Sequence, residues 1–178
     1  MGRRKEYSMM RDLKPSYVVT VKFGKEDFSI REIGDAVFPY DNNVLVAKTK
    51  FKGVLLLYTK LNYSDLLKVL STYPPAYVER IVKVDFCCPV TEVTGCTADR
   101  LARIRLQYSS VKFGRIGSLG REKTKEIKEL FLKYRNPDCN RVLHVEPIND
   151  HVCFGLMKLN EDKFSVIRKK KIDRLVNR

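Results

Sequence analysis

The sequence predicts an α+β protein of two domains, the first of which has the order βαββαβ. Three observations support this prediction. Segments whose apolar residues alternate, as in half-buried strands, are interleaved with segments whose apolar residues recur at helical spacing. Glycine and proline residues separate many of these segments. The length of 178 residues suits one large domain or two small ones.

The first domain is predicted over residues 15–87. Its predicted elements are a strand Tyr17–Phe23, a helix Lys25–Phe38, two strands Val44–Phe51 and Val54–Thr59, a helix capped by Asn62, and a strand Tyr77–Phe86. In the first strand, Val19, Val21 and Phe23 share the inner face. This order is the split-βαβ, or ferredoxin-like, arrangement.

A junction is predicted over residues 88–96, and a second, compact α/β domain over residues 97–160. Thr97 is expected to cap its first helix. Two strands, Arg141–Ile148 and His151–Leu156, are joined by Asn149-Asp150, which is a turn signal. A flexible basic arm is expected over residues 1–14. The basic segment 161–178 is predicted to be either a helix or a tail.

The stretch 111–138 combines a strand, a basic Gly/Ser turn and an amphipathic helix ended by Asn136-Pro137. Ser118 is predicted to cap this helix. Arg115 and Arg121 flank the helix start, where free amides and the helix dipole favour an anion. With arginines present, the anion is expected to be a nucleic-acid phosphate. The alternative is a strand-to-helix turn with solvated arginines.

The charge of the chain favours a polyanionic partner. Lys and Arg number 35 against 21 Asp and Glu, a formal net charge of +14, and residues 97–135 hold 11 basic and 4 acidic side chains. RNA, DNA and acidic membranes all fit such a field. The apolar runs are far shorter than the ~20 residues that span a bilayer, so a soluble protein is expected. RNA is the expected polyanion, with no membrane partner. The candidate RNA contacts are Arg100, Arg103, Lys112, Arg115, Ser118, Arg121, Lys125 and Lys128.

The aromatic residues fall mainly on predicted inward stripes. Single-stranded RNA is usually bound by exposed aromatic side chains on which bases stack. Basic patches without such stacking surfaces suit recognition of a folded RNA through its backbone. The sequence therefore favours a structured RNA as the ligand.

No catalytic residue, cofactor or metal is predicted. The chain contains no P-loop, no dinucleotide-binding glycine motif after a strand, and no nucleophile elbow. The five cysteines include an adjacent pair and lack Cys-x-x-Cys spacing, so we predict five free thiols, no zinc, and an intracellular, cytoplasmic protein. His144 is predicted to be a surface or hydrogen-bonded histidine.

Several segments resemble proteins that carry a THUMP domain. Gly24–Phe28, Gly34–Phe38, Thr49–Leu57 and Val78–Val82 look like the ferredoxin-like module that precedes THUMP domains. The run from Phe113 to Ser118, the helix after it and Asn136-Pro137-Asp138 look like a compact THUMP domain. Together these segments cover about residues 17–158. The layout is similar to the stand-alone THUMP proteins that assist the tRNA cytidine acetyltransferase.

The resemblance implies a tRNA-binding adaptor without an active site. In that family the THUMP protein holds tRNA by its acceptor end while a separate enzyme makes N4-acetylcytidine. The expected partners are therefore tRNA and a separate tRNA-modifying enzyme. Two alternatives stay open: an RNA-binding subunit of another RNA-modification or ribosome-assembly complex, and a tRNA-modifying enzyme with an unrecognised site.

Overall fold

The computed structural model describes residues 14–104, 108–114 and 116–176. Within them, a ferredoxin-like domain is followed by a compact α/β domain, which confirms the predicted α+β fold. The predicted arm, residues 1–14, lies outside the described residues except for Lys14. The Lys14 Nζ donates hydrogen bonds to the carbonyl oxygens of Val84 and Asp85, at 3.1 and 2.8 Å. Lys14 thus contacts the segment that joins the two domains.

The first domain has the predicted βαββαβ order. Its elements are β1 (Tyr17–Val21), α1 (Glu26–Val37), β2 (Leu45–Lys48), β3 (Val54–Tyr58), α2 (Tyr63–Thr72) and β4 (Val78–Lys83). The strands lie in the order β2-β3-β1-β4, and each neighbouring pair is antiparallel. Asn62 caps α2 as predicted, because its side-chain oxygen accepts a hydrogen bond from the Asp65 amide at 3.0 Å.

Strands β1 and β3 are buried on both faces, which explains their nearly continuous apolar sequences. Successive side chains of a strand point to opposite faces. One face, carrying Val19 and Leu55, packs beneath α1 and α2. The other face, carrying Val18 and Leu56, packs against Met157 of the second domain. The two domains therefore share an apolar core.

The second domain is a mixed sheet covered by helices on one face. Its elements, with the last helix of the chain, are β5 (Phe86–Pro89), a 3-10 turn (Val90–Glu92), α3 (Val93–Ile104), β6 (Ser110–Phe113), a 3-10 turn (Ile116–Leu119), α4 (Arg121–Lys133), β7 (Arg141–Ile148), β8 (His151–Lys158) and α5 (Phe164–Val176). The strand order is β5-β8-β7-β6, with only the β6–β7 pair parallel in this described sheet. The predicted hairpin at Asn149-Asp150 is confirmed.

The start of the second domain differs from the prediction. The segment 88–96, predicted as a junction, lies within β5, a 3-10 turn and the first part of α3. Thr97 is buried within α3, which begins at Val93, so it does not cap the helix. The sequence did not predict β5 because its four residues are too few to show the alternation of a strand.

The basic C-terminal segment forms a helix, α5, that docks on the ferredoxin-like domain. Phe164 is buried in the core of that domain, and Ile167 packs against the same core. The Arg168 guanidinium donates to the carbonyl oxygens of Pro75 and Val78, at 3.0 and 2.7 Å. In the described part of the chain, α5 included, no helix is long and apolar enough to cross a membrane.

Two disulfides contradict the prediction of five free cysteines. Cys87 of β5 is bonded to Cys153 of β8, with their Cα atoms 4.0 Å apart, and Cys88 is bonded to Cys96 of α3. Cys139 belongs to neither bond. The adjacent pair looked unsuitable for disulfides in sequence. Because Cys87 and Cys88 are successive residues of a strand, their side chains point to opposite faces and meet different partners.

Candidate nucleic-acid interface

Helix α4 separates apolar and charged side chains onto opposite sides. Ile127 and Phe131 are buried in the core of the second domain. The outward side carries Arg121, Lys125 and Lys128, all exposed. They are spaced at i, i+4 and i+7, which aligns side chains along one side of a helix. We call these three residues the α4 cationic face.

The α4 cationic face lines a shallow groove of about 580 Å³ that runs along the helix. The Lys125 Nζ lies 3.8 Å from Glu129 Oε1, but the two side chains are 77% and 64% exposed. Such solvated ion pairs are weak, so little of the charge is compensated. The Lys128 Nζ lies 5.8 Å from the centroid of the Phe113 ring. The face therefore presents positive charge to any polyanion that reaches it.

The N-terminal end of α4 adds amide donors to this face. The helix begins at Arg121, directly after Gly120, whose φ of 85° lies in the left-handed region. Gly120 has no side chain that could cap the first-turn amides, and the helix dipole is positive there. Ser118, the predicted cap, instead lies exposed in the 3-10 turn before the helix, so that prediction is wrong. Amides and cations at one helix end favour a phosphate.

The structure gathers only some of the eight predicted contact residues. Arg121, Lys125 and Lys128 form the α4 cationic face, and Ser118 precedes its start in the chain. The side chains of Arg103 and Arg115 lie outside the described residues. The remaining two residues, Lys112 and Arg100, lie on other parts of the molecule.

Lys112 lies on the opposite side of the second sheet from α4. Its neighbours Val111 and Phe113 pack against the helix-covered core, and strand alternation turns Lys112 the other way. The Lys112 Nζ lies 3.2 Å from Asp162 Oδ1. Lys112 is therefore a partly buried ion-pairing residue, separated from the α4 cationic face by the sheet.

Arg100, exposed on α3, lines a cleft of about 840 Å³ between the two domains. Lys14, Lys48, Lys50 and His151 line the same cleft, together with carboxylates and apolar side chains. Its walls come from segments distant in the sequence, and no local pattern could have predicted their meeting. The cleft is thus a second basic concavity, distinct from the α4 groove.

A polar cluster joins the two domains beneath the second sheet. The Arg80 Nε of β4 donates to Asp162 Oδ2 at 2.7 Å, and its Nη2 donates to Glu146 Oε1 at 3.2 Å. The same Nη2 lies 3.1 Å from His144 Nδ1, which accepts as the neutral imidazole. We call Arg80, Lys112, His144, Glu146 and Asp162 the interdomain polar cluster.

Burial governs the protonation of the interdomain polar cluster. His144 is fully buried, and its loss of hydration lowers the pKa of the imidazole to about 4. Burial of Asp162 opposes its ionisation, but the hydrogen bond from Arg80 and the surrounding positive charge outweigh this and lower the pKa of the carboxyl. At neutral pH the cluster thus holds a neutral histidine among paired charges. His144 matches the hydrogen-bonded alternative of the sequence prediction.

Solved structures with a similar fold include three longer chains. TrmN from Thermus thermophilus matches 90% of this chain and 54% of its own length, with a TM-score of 0.52 and 12% identity. PH1313 from Pyrococcus horikoshii Ot3 matches 80% and 54%, with a TM-score of 0.49 and 11% identity. A 4-thiouridine synthetase, solved with RNA and ATP, matches 80% and 41%, with a TM-score of 0.47 and 15% identity.

The chain spans about half the length of these solved proteins. No protein-family model matches it, and neither does any curated protein. The similarity to TrmN shows a shared fold and nothing more, since only 12% of the residues are identical. The function must therefore be inferred from the surfaces of this chain.

Proposed function

We propose that this protein binds tRNA and presents it to a separate modifying enzyme. The observation that carries the proposal is the α4 cationic face, where three exposed cations continue from the amide-rich start of a helix. From Arg121 to Lys128 the row extends about 10 Å along the helix axis. This exceeds the rise of roughly 3.4 Å between phosphates of one DNA strand, so the row can neutralise more than one phosphate.

A folded RNA is the ligand that suits this face. Cations on the outer side of a helix contact phosphates, which position a nucleic acid without reading its sequence. Paired RNA is recognised mainly through its shape, its phosphates and its 2′-hydroxyl groups. The acceptor end of tRNA, a paired stem with a single-stranded terminus, meets these requirements.

The adaptor role rests on the resemblance to the THUMP proteins that assist the cytidine acetyltransferase. The groups that α4 presents bind and position phosphate, and the chemistry would come from the partner. We therefore propose that the partner is an acetyltransferase that makes N4-acetylcytidine in tRNA.

Reconstitution of the reaction tests this proposal. The pure chain would be incubated with tRNA and acetyl-CoA, with and without the acetyltransferase of the same cell, and the nucleosides analysed by mass spectrometry. N4-acetylcytidine should form efficiently only when both proteins are present. Acetylation by the partner alone at an equal rate would refute the adaptor role, and modification by this chain alone would show that it is an enzyme.

A further inference from the structure

Three aromatic rings and two lysines gather at one end of the ferredoxin-like domain. Phe23 lies in the loop after β1, Lys25 and Phe28 lie at the start of α1, Lys52 lies in the β2–β3 turn, and Tyr77 precedes β4. We call these five residues the aromatic platform. The sequence predicts Phe23 on the inner face of a strand, but β1 ends at Val21 and Phe23 is 72% exposed.

Backbone hydrogen bonds fix the loops of the platform to one another. The Val21 amide donates to the Gly53 carbonyl and the Lys22 amide donates to the Tyr77 carbonyl, each at 2.9 Å. The Gly53 amide donates to Glu26 Oε1 at 2.7 Å, which ties the β2–β3 turn to the start of α1. The backbone positions that carry the rings are therefore fixed before any ligand arrives, which reduces the entropy lost on binding.

Each exposed ring lies close to an ammonium group. The Lys52 Nζ is 5.1 Å from the centroid of the Phe23 ring. The Lys25 Nζ is 5.6 Å from the centroid of Phe28 and 5.1 Å from that of Tyr77. The Phe28 and Tyr77 rings lie 6.3 Å apart at an interplanar angle of 59°, so they do not stack on each other. Phe28 is 59% exposed and keeps ring surface open to solvent.

We propose that the aromatic platform binds unpaired nucleotides of RNA. Sites for single-stranded nucleic acid combine aromatic rings, on which bases stack, with cations that contact the backbone. The platform supplies both within one set of fixed loops. Aromatic residues are enriched at protein–protein interfaces, but lysine is depleted there, so the two lysines beside the rings favour RNA over a protein partner. The proposal rests on the proposed function only in taking RNA as the ligand, and it adds a second contact of different chemistry.

The first test compares two RNA probes and two matched variants. The platform variant is Phe23→Ala/Phe28→Ala, and the control is Phe38→Ala/Tyr40→Ala, whose side chains are 60% and 58% exposed and follow the other end of α1. The platform variant should bind a short oligouridylate at least about tenfold more weakly than wild type, since two stacking surfaces are removed. The control should bind like wild type. Both should bind a blunt-ended RNA duplex normally.

A fluorescence measurement shows whether bases reach the platform. The chain contains no tryptophan, so Phe28→Trp introduces a single reporter that keeps a stacking surface. Oligouridylate should quench its emission in a saturable way and bind about as tightly as to wild type. Equal oligouridylate affinity of wild type and the platform variant would overturn the proposal, as would unquenched tryptophan in a protein that has bound the probe.

The same measurements separate this proposal from the proposed function. If the duplex fails to bind while oligouridylate binds through the platform, tRNA-stem binding at α4 is refuted and the platform proposal is retained. If the platform variant binds both RNAs normally but no longer captures the acetyltransferase, the platform is a protein-binding surface and the RNA proposal is wrong.

Discussion

Arg80 and Asp162 lie between the two domains, whereas Arg121 and Lys125 are exposed to solvent on the other side of the second sheet. The Asp162 side chain is 1% exposed and that of Lys125 is 77% exposed. In the interdomain polar cluster each ionised group faces an opposite charge at hydrogen-bond distance. On the α4 cationic face the positive side chains are exposed to solvent and largely uncompensated, so they can bind an anionic ligand. The difference teaches that burial, rather than residue type, separates structural charges from binding charges.

Removal of Asp162 should have the largest effect on stability. Asp162→Ala leaves Lys112 without its carboxylate partner and Arg80 with Glu146 alone, and breaking a buried ion pair typically costs about 3–5 kcal/mol. The matched control is Asp27→Ala, whose carboxylate pairs with Lys48 but is 75% exposed. The control should change the free energy of unfolding by less than about 1 kcal/mol. Urea unfolding measures both, and similar decreases would contradict the contrast between buried and exposed charge.

Gly155→Ala should destabilise the protein by a smaller amount, about 1–3 kcal/mol. A Cβ atom at Gly155 of β8 would collide with the Lys83 carbonyl of β4, so the interface between the domains would have to open. Gly34→Ala is the control, because a Cβ there meets open space within α1 and alanine favours a helix. Thermal unfolding should show a lower melting temperature for the first variant and a slightly higher one for the second. An increase in melting temperature for both variants would show that the domains are loosely packed around Gly155.

Acid should weaken the interdomain polar cluster before it affects the α4 cationic face. The folded protein holds the pKa of His144 near 4, below the value of about 6.5 for an exposed histidine. The unfolded chain therefore binds this proton at a higher pH than the folded protein. The contribution of His144 to stability is thus complete above about pH 6.5 and is lost as the pH falls towards 4.

His144→Gln tests this assignment, since glutamine can still hydrogen-bond but does not titrate. The variant should show a smaller fall in melting temperature between about pH 6.5 and 4 than wild type. Asp162, whose pKa is also lowered, loses its contribution at still lower pH. Identical pH profiles for the two proteins would show that His144 does not set this dependence.

The elements that the sequence predicted well are those with a long, regular pattern. The βαββαβ order and the Asn149-Asp150 hairpin were predicted because alternation and turn residues are local signals. Strand β5 was missed because four residues cannot show a period, and the starts of α3 and α4 were misplaced at Thr97 and Ser118. Ser118 is an ordinary capping residue, and only the 3-10 turn after Arg115 places it outside the helix.

The candidate site was predicted in part for a similar reason. The i, i+4, i+7 spacing of Arg121, Lys125 and Lys128 fixes a common side of a helix from sequence alone. The pairing of Lys112 with Asp162 depends on how the chain returns to the first domain before α5. The aromatic platform likewise depends on β1 ending two residues before Phe23. Interactions between distant segments leave no local pattern to read.

The affinity for tRNA as a function of salt tests the central claim most directly. The variant Arg121→Ala/Lys125→Ala/Lys128→Ala is compared with Lys60→Ala/Lys68→Ala/Lys158→Ala, which removes the same net charge from other exposed positions. If the α4 cationic face binds phosphates, the first variant should bind tRNA more weakly, and the slope of log affinity against log salt should flatten by about one for each phosphate that the variant no longer neutralises. Its melting temperature should stay close to that of wild type. Equal affinity and slope for the two variants would contradict the assignment of the RNA site to α4.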